Sequence, residues 1–200
     1  MWVARADHGF LFGGLTKICV QTLRGVPMLM ESSDPRVRDR LLPETYEGHD
    51  DEQDWRANAV PELERLFMSR TQLVRRDLEG LRKLEHHDSW VLVIPDGHAS
   101  AWLSSLNAAR LALYALNDLK PEHLERDGFL FAGEKQQLAL LRIHFLAEIQ
   151  GVLLGEVDLE EETDLGQCPD LPLPEDLFDP DSFSDPDSDS SSDSDSSPEP

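Results

Sequence analysis

The chain has 200 residues, 40 of them acidic and 18 basic, for a formal net charge of −22. That charge repels nucleic acid phosphates and anionic lipid and favours basic proteins or cations as partners. Two cysteines, Cys19 and Cys168, are too few and too far apart for a disulfide framework or a zinc site. They read as thiols of a reducing compartment.

In chain order, 2–5 (Trp-Val-Ala-Arg) and 10–12 (Phe-Leu-Phe) flank Ala-Asp-His-Gly. β-favouring runs around a glycine-containing turn predict a short hairpin, which Gly13-Gly14 interrupts. Leu15, Ile18, Cys19, Thr22, Leu23 and Val26 follow at helical spacing, with Pro27 expected to end or bend that helix. Asp34-Pro35 predicts a capped helix over 35–42, stopped by Pro43, and 46–51 reads as a polar loop.

The longest periodic stretch runs from Trp55 through Leu63, Leu66, Val74, Leu78 and Leu84. Pro61 interrupts its start, so one helix is expected over 61–85, preceded by a shorter or kinked turn. Trp90–Ile94 is a continuous β-branched and aromatic run closed by Pro95, and predicts a strand paired with the N-terminal hairpin. Asp96 is the expected cap of a helix carrying Trp102, Leu106, Ala109 and Leu113. A loop over 121–132 precedes a last helix over 134–154. On it Leu138, Leu141, Phe145, Ile149 and Val152 form one stripe, widened by Leu140, Ile143, Leu146 and Leu153, which predicts packing on more than one side.

Beyond Val157 the pattern dissolves. From Glu156 to Pro200 there are 17 acidic residues and no Lys or Arg, and the rest of the chain is left at −5. Such composition cannot repay the entropy of ordering. The expected organisation is a helical domain over 1–157 and a disordered Ser/Asp-rich tail over 158–200. The fold class is mainly α, a compact helical bundle with a small sheet.

The chemistry-bearing residues do not assemble into a catalytic set. Adjacent His86 and His87 point about a hundred degrees apart on a helix and suit a helix end. His144 and Glu148, four apart, suit a buried or rim hydrogen bond. Gly13-Gly14 lacks the Lys-Ser/Thr pair of a phosphate loop, and Asp50-Asp51 lie where nothing would raise a pKa. No cofactor or metal is implied, and a non-enzymatic role is expected. The sharper signature is Trp102, Asn107 and Arg110 in an otherwise apolar helix. A buried guanidinium must be paired: either it meets a carbonyl or an acid such as Glu148, or it faces a groove and meets a partner.

These residues carry a resemblance. Trp102-Leu103-x-x-Leu106-Asn107-x-x-Arg110-Leu111-x-Leu113 follows the strand Trp90–Ile94, after Asp34-Pro35, Arg40-Leu41-Leu42-Pro43-x-x-Tyr46 and Trp55-Arg56. In this order they resemble the uncharacterised bacterial family of unknown function DUF2017, over 1–157. The chain departs from the pattern at Ala108-Ala109 and at Tyr114. The resemblance implies no catalytic residues. It implies an association with the adaptor of the Clp protease, hence with regulated proteolysis.

With no signal-peptide pattern and no long apolar run, the chain reads as a cytoplasmic protein-interaction or regulatory module. The alternative is a chaperone-like or phosphate-mimicking binder that works through its tail. A protein partner is expected; nucleic acid and membrane are not, and the oligomeric state is open.

Overall fold

A computed structural model describes residues 1–84, 88–125 and 127–156, all within one unit, Met1–Gln167. The acidic tail over 158–200, Cys168 and the His86-His87 pair lie outside the described residues. Those described form a mainly α domain with six α-helices and a four-stranded antiparallel sheet.

The hairpin forms where the sequence places it. β1 (Trp2–Ala6) pairs with β2 (Gly9–Leu15) around Asp7-His8. β2 runs on through Gly13-Gly14, which the pattern marked as a break. A register shift between Phe12 and Leu15 absorbs Gly14, whose φ of 65° belongs to the left-handed region that glycine enters without strain. β4 (Trp90–Pro95) pairs with β2 as expected, and β3 (Arg82–Lys83) joins its other side, for an order of β1-β2-β4-β3. Val91, Leu92 and Ile94 of β4 are buried and Val93 is half-buried, in keeping with its continuous apolar run.

α1 (Lys17–Met30) is capped by the Thr16 hydroxyl, which accepts from the Cys19 N–H. It runs three residues past Pro27, which lies inside the helix near its C-terminal end. α2 (Pro35–Leu41) begins as the sequence predicts, with the Asp34 carboxylate accepting from the Arg36 N–H.

α3 (His49–Glu79) corrects the expected 61–85 at both ends. It starts twelve residues earlier, in the presumed polar loop. Asp50, Asp51 and Glu52 occupy its first turn, where carboxylates complement the helix dipole. Glu52 accepts from the Thr45 and Tyr46 N–H groups at 2.9 and 3.0 Å and from Arg56 Nε at 2.7 Å. Those two N–H groups and Arg56 hold its pKa below the ordinary Glu range and pin the loop to the helix. Tyr46 meets Trp55 edge-on at 6.2 Å. Pro61 does not break the helix: it and Ala57, whose carbonyl loses its partner, are both exposed to water. At the far end the chain leaves the helix at Gly80 and turns into β3, so Leu84 pairs with Ser89 rather than extending α3.

α4 (Ala99–Leu116) follows a single turn of 3-10 helix over Asp96–His98. Asp96 does not cap it; its carboxylate is paired with Arg5 of β1 at 2.8 Å. α5 (Gly128–Phe131) is one short turn within the expected loop, and α6 (Glu134–Leu153) is the last helix. Part of the expected stripe of α6 turns inward: Ile149 and Val152 are buried together with Leu140, Ile143, Leu146 and Leu153, whereas Leu138 and Leu141 stand in solvent. His144 and Glu148 are both exposed, not a buried or rim pair.

The core is built around α4, which packs against α1, α2, α3 and α6. Phe12, Leu92 and Ile94 of the sheet join Leu23, Val26, Trp102, Leu106 and Leu140 in one apolar cluster. Among the described residues no helix is long and apolar enough to cross a membrane.

The sheet and α1 supply opposite glycine tests. A Cβ on Gly9 would sit 2.4 Å from the Ile94 carbonyl oxygen, whereas one on Gly25 meets nothing within 4 Å. Denaturant unfolding should show Gly9→Ala destabilised by about 1–3 kcal/mol, the usual cost of overpacking. Gly25→Ala should gain about 0.5–1 kcal/mol from helix propensity.

Candidate functional site

α4 has an inward face and an outward one, and the sequence-predicted residues divide between them. Trp102, Leu106, Ala109 and Leu113 point inward, while Ala108, Ala109 and Ala112 let neighbouring helices approach closely. Asn107 is exposed and Arg110 half-buried; Leu103, Leu111 and Tyr114 are half-buried on the same outward stripe. Trp102 is therefore not grouped with Asn107 and Arg110.

Trp102 is 0% exposed. Its indole N–H still requires an acceptor, which is Asp77 Oδ2 of α3 at 2.7 Å. The Asp77 side chain is 1% exposed and also lies 2.9 Å from His98 Nδ1, in the turn before α4. Burial raises the Asp77 pKa above the ordinary carboxylate range, against the opposing pull of the Trp102 N–H and of His98. This cluster was not anticipated from the sequence, because its members are 21 and 25 residues apart. One signal was available: Asp77 falls between Val74 and Leu78 on the apolar stripe of α3.

Arg110 is arranged differently. Its Nη1 donates to Gln150 Oε1 of α6 at 2.6 Å, and Gln150 Nε2 in turn donates to the Leu103 carbonyl at 3.1 Å. Gln150, not Glu148, is thus the internal partner. Arg110 Nε is buried with no hydrogen-bond partner. The guanidinium is oriented by a neutral amide and its charge is left uncompensated by that partner. One helical turn on, Tyr114 carries the Arg40 guanidinium of α2 at 5.5 Å from its ring centroid. Two cations and several half-buried apolar side chains thus share this surface. Chemically it suits a carboxylate bound through Arg110, with apolar contacts on either side.

The two faces predict different mutational behaviour. Trp102→Ala should cost about 3–5 kcal/mol in denaturant unfolding. Asp77 should act through pH. Because its folded pKa is raised, the folded state keeps a proton that the unfolded chain releases, so its contribution falls as pH rises from the ordinary Asp range through the raised value. Stability measured against pH should therefore fall less steeply over that interval in Asp77→Asn than in the unsubstituted chain.

No curated protein and no solved structure matches the chain. A family model described as "Domain of unknown function (DUF2017)" matches residues 19–157. The match takes in the whole of α4, the Asp77 cluster and the Arg110–Gln150 pair, and omits the N-terminal hairpin that the motif resemblance had included. The chain accordingly belongs to the DUF2017 family.

Proposed function

We propose that this protein is a non-enzymatic interaction module, regulatory in role, whose outward α4 stripe receives an acidic segment of a protein partner. The observation that supports this reading is Arg110: a half-buried guanidinium hydrogen-bonded to neutral Gln150, with Nε buried and unpartnered. Burying a cation without an anion is costly, and an incoming carboxylate would supply the missing charge and a second acceptor. Asn107, exposed one turn before Arg110, offers a further donor and acceptor to the same segment. The Asp77–Trp102 bond behind the stripe holds α4 in place rather than meeting the partner. By family analogy, the setting is the bacterial cytoplasm and Clp-adaptor-linked proteolysis.

A second reading rests on charge. The 17 acidic residues from Glu156 onward would draw basic partners to the tail, in a chaperone-like or phosphate-mimicking manner. The two readings differ in salt dependence and in which segment they need.

Pull-down from native lysate, with full-length bait, bait lacking 158–200, and full-length Arg110→Ala, separates them. Arg110→Ala should lower capture at least ten-fold while changing the unfolding free energy by no more than about 2 kcal/mol. Arg110→Lys should restore only part of the capture, since the planar fork is lost. Capture that survives Arg110→Ala but vanishes on tail deletion and in high salt assigns the interaction to the tail. If Arg110→Ala and Trp102→Ala unfold the domain equally, Arg110 is core and the site fails.

A further inference from the structure

A second surface, on α5 and the start of α6, is independent of Arg110. The two most exposed large apolar side chains among the described residues are Phe131 at 83% and Leu130 at 74%, both on α5. Beside them Phe129, Leu138 and Leu141 line an open groove of about 480 Å³. Leu138 and Leu141 remain 43% and 56% exposed. α6 is therefore apolar on two sides, and the domain covers one.

We propose that this surface joins two copies of the chain in a two-fold symmetric dimer. Area is the first reason. With phenylalanine side chains at roughly 150–250 Å² and leucines smaller, the five exposures amount to an apolar surface on the order of 500 Å². That is toward the upper end of what a monomer leaves uncovered, about 300–600 Å². An isologous pair uses the same patch twice, removing about 1,000 Å², the area at which a weak specific interface begins. Charge is the second reason. Glu134 and Lys135, consecutive and of opposite sign, line the groove and are exposed. Lys135 Nζ reaches the Leu116 carbonyl only at 3.4 Å. A two-fold axis near the start of α6 sets Glu134 of each copy against Lys135 of the other, so the rim is self-complementary.

Sedimentation velocity on the full chain, from about 1 to 100 µM at low and moderate salt, tests this. The species expected at the upper concentrations has twice the 22.6 kDa mass of one chain. Salt should strengthen the association, because it screens the repulsion between two strongly acidic chains. Phe131→Asp and Leu141→Glu should each weaken dimerisation at least ten-fold with unchanged circular dichroism and melting temperature, since both side chains are solvent-exposed. Hydrogen exchange on the unsubstituted chain should show protection over 128–141 that rises with concentration. A single-chain mass at every concentration and salt overturns the proposal. So does a dimer that persists in both folded variants, or one whose concentration-dependent protection lies outside 128–141.

Discussion

A carboxylate enclosed in an apolar core determines how the helices of this domain meet. Asp77 can remain there because the Trp102 indole donates to it and His98 lies against it. Each group requires the others. Without Asp77 the Trp102 N–H loses the acceptor it has in the core, and without Trp102 the carboxylate loses a donor that offsets its desolvation. The bond joins the last turns of α3 to the first turn of α4, and its directionality restrains the sliding that apolar packing alone would tolerate. Because α4 touches four other helices, restraining it restrains them as well.

That restraint gives the outward face of α4 its meaning. Ala108, Ala109 and Ala112 bring neighbouring helices close and leave a narrow stripe at the surface. Arg110 emerges there with its orientation set by Gln150, which is itself held by the Leu103 carbonyl. A pre-oriented guanidinium loses less entropy when it takes up an anion than a free surface arginine would. The inward bond sets position and the outward amide sets direction, which leaves the charge available for the recognition proposed above.

α6 presents the complementary problem. Gln150 faces Arg110 and Leu140, Leu146 and Ile149 fill the core, while Leu138 and Leu141 remain in water. Exposure of single apolar residues is ordinary; a contiguous set with α5 is not. The recognition proposed at Arg110 would draw on charge, and the association proposed for the α5–α6 surface chiefly on apolar area. The two can therefore operate side by side.

The sequence by itself determined the local features: the hairpin, the Asp34 cap of α2, the strand Trp90–Pro95, the helical nature of 99–116 and 134–153, and the choice of Arg110 as an unusual cation. Each follows from nearest-neighbour stereochemistry or hydrophobic period, which act over a few residues. Tertiary structure decided the rest. Pro61 marks an interruption in the sequence, yet α3 runs through it, with Pro61 and Ala57 both on its exposed side. Leu84 kept helical period with α3, yet Gly80 and pairing with Ser89 took that segment to the sheet. The inward face of α6 could not be told from the outward one, because both are apolar. Asp77 meeting Trp102 and His98, and Gln150 rather than Glu148 meeting Arg110, depend on contacts between helices far apart in sequence, and periodicity contains no term for those.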